Sequence, residues 1–264
     1  MREQPENQIT VCHAPVSGDM AQFANDPNFI ALHPTPLAIK FVAEGESITY
    51  PTADGNTASA YIVKAKKKSD KWLFVYQEWW GLNDHIKHQA DVFYEDLGGK
   101  VNVIALDMYD GKVTSNPQEA GQFMQGVKEE RLENIVAGAR QLAGPNAKIA
   151  NVGWCFGGMW SLQTAILAGS QAKGSVMYYG RPESNMDKLK SIQCDIIGFF
   201  GNLDQSPSPK MVSDFETNMQ LAGKKLTAYK YEAGHGFENP SNPSFNAAAK
   251  EDSNAKAIAF LKAH

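Results

Sequence analysis

Residues 149–167, Ile149-Ala150-Asn151-Val152-Gly153-Trp154-Cys155-Phe156-Gly157-Gly158-Met159-Trp160-Ser161-Leu162-Gln163-Thr164-Ala165-Ile166-Leu167, decide how the chain is organised. Ile149–Trp154 reads as a buried strand and Gly157–Leu167 as a helix, with Cys155 at the turn between them. The pattern Gly153-x-Cys155-x-Gly157 is the cysteine form of G-x-S-x-G, a sharp strand-to-helix bend that holds a nucleophile. Glycines two before and two after the cysteine remove Cβ atoms that would collide in so tight a bend. The helix start then aims its N–H groups and positive dipole end at the sulfur, which favours the thiolate. A buried structural cysteine is the bland alternative. The two glycines and the strand–turn–helix setting argue against it.

Working outward, strands and helices alternate. Ser47–Tyr50 and Ala58–Val63 read as a hairpin around Ala53-Asp54-Gly55-Asn56. Trp72–Tyr76 and Val101–Leu106 are apolar runs expected of strands buried on both faces. Asn83–Leu97, Pro117–Met124 and Glu129–Leu142 read as helices. Beyond the cysteine come strands Ser175–Tyr179, Asp195–Phe200 and Thr227–Tyr231, and helices Lys210–Leu221 and Phe245–Ala263. This alternation implies an α/β fold with a mostly parallel central sheet, helices on both faces and the hairpin as antiparallel edge. Residues 1–37, punctuated by five prolines, read as an irregular arm packed on a domain spanning 38–264.

In such sheets the working groups gather beyond the carboxyl ends of the strands. Glu78, Cys155, Asp204 and His235 all fall there. His235, in Gly234-His235-Gly236, follows the last strand and is the expected base. Asp204, in Gly201-Asn202-Leu203-Asp204, is the expected orienting acid, accepting from the second imidazole nitrogen. His13, His33 and His264 lie in terminal segments and are given no role. His85 and His88 read as surface or cleft-mouth residues. Glu78, in Gln77-Glu78-Trp79-Trp80-Gly81, reads equally as a catalytic carboxylate or as a strand-end glutamate bonded to local backbone. The backbone N–H groups of Trp79 and Phe156 are the natural donors to an oxyanion, and Trp80, Tyr109 and Phe237 are plausible pocket walls.

Together QEWWG (77–81), GWCFGG (153–158), YYG (178–180), GNLD (201–204) and AGHGF (233–237) resemble dienelactone hydrolase in order and spacing, over about residues 45–263. The resemblance implies an α/β-hydrolase fold without a cap domain and a Cys155–His235–Asp204 triad. It also implies a glutamate, here Glu78, that contacts the resting cysteine and helps form the thiolate, with Trp79 and Phe156 at the oxyanion positions. Two arginines that hold the substrate carboxylate in the best-known members are not matched. The sequence reads Asp110-Gly111-Lys112 where one is expected and Asn239 where the other is. Bidentate recognition of a carboxylate favours arginine, so the chemistry carries over better than the substrate does.

The function expected is therefore cysteine-dependent hydrolysis of a small ester or lactone through a thioester. A peptide or phosphotriester substrate is a weaker variant, and a non-catalytic ligand-binding relative of the same fold is the alternative. No metal or organic cofactor is expected. The 264 residues are 43% hydrophobic with a net charge of −4, ordinary for a soluble globular chain and without the clustered basic surface a nucleic-acid partner needs. The basic run at Lys64, Lys66, Lys67 and Lys68 reads as a solvated hairpin. Three scattered cysteines, Cys12, Cys155 and Cys194, argue against a disulfide framework or a zinc site. No apolar run approaches a membrane span. The expected setting is cytoplasmic, or periplasmic after loss of a signal, and the expected state a monomer or homodimer.

Overall fold

The computed structural model describes residues 27–264 except 32, 34 and 41; the expectations for residues 1–26 lie outside the described residues. The eight strands are β1 (Glu46–Pro51), β2 (Thr57–Val63), β3 (Lys71–Tyr76), β4 (Asn102–Leu106), β5 (Lys148–Trp154), β6 (Ala172–Tyr178), β7 (Asp195–Gly201) and β8 (Leu226–Tyr231). They form one sheet in the order β1-β2-β4-β3-β5-β6-β7-β8. β2 runs antiparallel to both β1 and β4, and every other pairing is parallel. The helices are α1 (Pro27–Ala31), α2 (Asp84–Asp96), α3 (Pro117–Gly126), α4 (Glu129–Ala143), α5 (Phe156–Ala168), α6 (Met186–Ser191), α7 (Pro209–Leu221) and α8 (Ala247–Ala263).

Helices cover both faces. Tyr76 of β3 meets Thr164 of α5 through their hydroxyls at 2.5 Å. On the other face Trp154 and Tyr178 stack at 5.6 Å; Phe93 of α2 lies against the first, and Asn254 of α8 accepts from the hydroxyl of the second. In β3, Trp72 is half-buried and Leu73 to Tyr76 are buried, with Phe74, Val75 and Tyr76 fully covered, as a strand sandwiched between two helix layers requires.

Helix α5 shows no polar stripe, because it is buried nearly all round. Its polar side chains find partners inside. Ser161 Oγ donates to the Val176 carbonyl at 3.0 Å, and Gln163 Nε2 donates to Glu183 at 3.0 Å. Asn83, Asn116, Ser208 and Asn246 cap α2, α3, α7 and α8 through side-chain oxygens. Arg131 of α4 fastens the hairpin, pairing with Asp54 at 3.1 Å and Asp110 at 2.6 Å and donating to the Thr57 carbonyl at 2.8 Å.

Two short helices add to the sequence reading. α1 lies in the stretch expected to be irregular, with Pro27 at its first position, where a missing N–H is harmless. α6 has six residues and one buried side chain, Leu189, too few turns for an apolar period to register.

Candidate active site

Cys155 stands between β5 and α5 with φ 53° and ψ −116°. That positive φ is costly for a residue with a Cβ and persists only where the surroundings enforce it. The Cys155 N–H donates to the Tyr178 carbonyl at 3.0 Å, tying the bend to β6. A Cβ on Gly153 would stand 2.8 Å from that of Tyr76, and one on Gly157 would stand 2.5 Å from the Tyr76 carbonyl oxygen. Strand and helix therefore pack backbone to backbone beneath the sulfur, which side chains at these two positions would prevent.

Asp204 and His235 arrive on the loops after β7 and β8. The loops are bonded to one another: the Asn202 N–H donates to the Tyr231 carbonyl at 2.7 Å and the Leu203 N–H to the Ala233 carbonyl at 3.0 Å. Asp204 Oδ2 lies 2.8 Å from His235 Nδ1, and its Oδ1 accepts from the Ser206 N–H at 2.8 Å. Both side chains are buried. Burial opposes the imidazolium, but the Asp204 carboxylate and Cys155 outweigh it and hold His235 well above the usual histidine range. One nitrogen of His235 and the Cys155 sulfur belong to a group of ligand atoms lying within 4.8 Å of one another.

Glu78 follows β3, half-buried, and its Oε2 accepts from Asn239 Nδ2 at 3.1 Å. Burial, then repulsion from Glu238, pushes its carboxyl up to about 7. The resemblance implied a contact from this glutamate to the resting cysteine. Here the hydrogen bond goes to Asn239, and the sulfur faces another group, His33 Nε2, at 3.7 Å. His33 is thus not a bystander in a terminal segment. The chain after α1 turns back over the site, and the His33 ring packs 4.7 Å from Trp79 and 4.9 Å from His235. Cys155 is 1% exposed.

The aromatic residues surround this group in two layers. Trp79, Tyr109 and Phe156 are buried beside it, with the Tyr109 and Phe156 rings 5.2 Å apart. Trp80 lies behind Trp79 at 5.0 Å. Phe237 lies 5.4 Å from Tyr179, whose ring is 5.0 Å from His235. Tyr179, at φ 37°, carries no role in the sequence reading, although YYG pointed to its neighbourhood. Burial raises the Tyr109 and Tyr179 phenols far above their usual range, so both remain O–H donors. Neither hydroxyl has a partner among the described residues.

A cavity of about 430 Å³ is lined by Glu78, His85, His88, Glu238, Asn239 and Lys250 among others. His85, half-buried, and His88, exposed, line this cavity. Lys112 stands 5.8 Å over the Phe123 ring, and the neighbouring Asp110 is engaged by Arg131. Among the described residues no helix is long and apolar enough to cross a membrane.

A mostly parallel eight-stranded sheet with a buried cysteine on the turn into α5, and a histidine and an aspartate on the loops that follow, defines an α/β-hydrolase. The chain belongs to the dienelactone hydrolase family, whose profile matches residues 58–264. Carboxymethylenebutenolidase 1 of Cupriavidus pinatubonensis is 25% identical over 234 residues, covering 83% of this chain and 97% of its own. Protein usf of Aquifex pyrophilus is 26% identical over 210 residues, covering 73% and 89%. The crystal structure of a dienelactone hydrolase-like promiscuous phosphotriesterase from metagenomic libraries matches with a TM-score of 0.71 at 20% identity, covering 83% of this chain and 98% of that one.

Proposed function

We propose that residues 38–264 form one hydrolase domain, preceded in sequence by the 1–37 arm, that cleaves a small uncharged ester or lactone through a thioester on Cys155. The observation that carries this reading is the Asp204–His235 pair, 2.8 Å from oxygen to nitrogen, beside a cysteine held on a strained bend at a helix N-terminus. The sulfur attacks the acyl carbon, and the carbonyl electrons move to an oxygen held by the Trp79 and Phe156 amides. The ring or ester C–O bond breaks, and the leaving oxygen takes the proton from the His235 imidazolium. Water, deprotonated by His235, then attacks the thioester, the acid departs, and the sulfur is released. Asp204 keeps the imidazole in one tautomer and stabilises its charged form.

Glu78, titrating near neutrality, suits a carboxyl that trades a proton with the site as substrate displaces its partners. An uncharged substrate is favoured because no arginine stands at either expected carboxylate position; Asn239 is engaged by Glu78 and Lys112 lies over Phe123. The Tyr109 and Tyr179 hydroxyls are the donors left for a carbonyl or ring oxygen. Entry requires His33 to move aside. The test is p-nitrophenyl acetate hydrolysis by wild type and Cys155→Ala, with intact-mass detection of an acyl-enzyme. Equal rates in the two proteins would remove Cys155 from the chemistry. Iodoacetamide labelling of Cys155 no faster than of Cys194 would favour the ligand-binding alternative.

A further inference from the structure

We infer that His33, Cys155 and His235 form a binding site for a thiophilic divalent cation, Zn²⁺ above all, that silences the enzyme while it is bound. The Cys155 sulfur and one nitrogen from each ring lie within 4.8 Å of one another, and all three side chains are buried. Tetrahedral zinc, with bonds of about 2.3 Å to sulfur and about 2.0 Å to nitrogen, sets its ligand atoms about 3.3–3.6 Å apart. The sulfur-to-His33 separation of 3.7 Å already approaches that value, so closure on an ion requires only small side-chain shifts.

The surroundings suit such an ion. Asp204 engages His235 Nδ1 at 2.8 Å, which directs Nε2 inward. This is the carboxylate–histidine support that orients imidazoles on metals. His33 is held by its neighbours in sequence. Thr35 Oγ1 donates to the Ser115 carbonyl at 3.0 Å, the Leu37 N–H donates to Ser241 Oγ at 3.0 Å, and the Leu37 carbonyl meets the His85 ring. The arm thus presents its imidazole at a defined point over the sulfur. Two imidazoles and a thiolate select zinc or copper over magnesium or calcium, whose preferred ligands are oxygens. Three protein ligands leave a fourth position for water.

Binding and turnover exclude each other, because the ion takes the sulfur lone pair and the His235 nitrogen that the chemistry needs. An ion takes its imidazole and sulfur ligands deprotonated, so affinity rises with pH. Removing the ion restores the pair unchanged.

The site is tested without substrate, so its failure is separate from failure of the hydrolase reading. Zn²⁺ is titrated into full-length protein carrying Cys12→Ser and Cys194→Ser, in competition with a chromophoric chelator, and Co²⁺ is used to detect a thiolate-to-metal absorption band. The expected result is one ion per chain, a thiolate band that Cys155→Ala abolishes, and affinity lowered by at least about 10–100-fold in His33→Ala, the loss already seen when only a ligand's outer-shell partner is removed. His33→Cys, which restores a ligand, recovers tight binding and guards against a mere packing effect. Unchanged affinity in His33→Ala, or Co²⁺ binding without the thiolate band, overturns the proposal. Where hydrolysis is measured, Zn²⁺ inhibition of wild type follows the same binding curve, and His33→Ala needs about tenfold more ion for half-inhibition.

Discussion

Replacing Glu78 with Gln removes an ionisation from a position where charge is disfavoured. Burial, with Glu238 adding repulsion, raises the carboxyl from 4.5 to about 7. The unfolded chain ionises the group at its ordinary value. Stability is therefore fully present below that value, falls as pH rises through the interval, and levels off above the folded value. A gap of about 2.5 pH units at about 1.36 kcal/mol each corresponds to about 3.4 kcal/mol. Glu78 is half-buried, so solvent screening reduces this to about 2 kcal/mol. The Gln carbonyl accepts the same bond from Asn239, so the substitution changes charge with little change of shape. The assay is urea unfolding of wild type and Glu78→Gln, followed by tryptophan fluorescence, at about pH 4 and about pH 8. The variant should gain about 2 kcal/mol on wild type between the two conditions, or roughly 4–8 °C in Tm for a chain of this size. Parallel pH profiles, or a variant that gains at the acid end, would refute the argument that this carboxyl is held largely neutral.

Asp204→Asn should lower kcat by about 10³–10⁴-fold while leaving the fold intact, because the imidazole loses its tautomer control; steady-state kinetics and circular dichroism read both. Gly157→Ala should cost about 1–3 kcal/mol in urea unfolding, since the added methyl meets the Gln77 and Tyr76 carbonyls, which cannot swing away. Arg131→Ala leaves Asp54 and Asp110 beside each other without their shared cation and should cost about 2–3 kcal/mol by the same measurement. His33→Ala should speed iodoacetamide alkylation of Cys155 at least severalfold, and an unchanged rate would mean that this imidazole does not limit access to the sulfur.

The order of the elements could be read from the chain, and four candidate positions, Glu78, Cys155, Asp204 and His235, could be named, because both rest on local signals. A five-residue apolar run before Gln77, glycines spaced around Cys155, and short loops after two late strands each speak within a dozen residues. What escaped depends on contacts between distant segments. His33 meets Cys155 across 122 positions, and no periodicity or spacing encodes that meeting. Tyr179 owes its place to a positive φ at the end of β6, a backbone state that its side chain does not announce. The upward shift of Glu78 comes from burial and from Glu238, against the opposing bond from Asn239, neighbours that a linear reading can number but not bring together. The short helix α6 escaped for another reason: its single buried residue carries no pattern.

The ladder between β7 and β8 does not stop where the strands do. Its last rungs, Asn202 to Tyr231 and Leu203 to Ala233, reach into the loops that carry Asp204 and His235. The imidazole's aim is therefore inherited from strand registry, and β8 is one of the two edge strands of the sheet and is half-exposed. Fraying of that edge would detach aspartate and histidine together from the sulfur. The Cys155, His235 and Asp204 grouping would come apart well before the core did, and amide exchange along residues 226–233 would mark the onset.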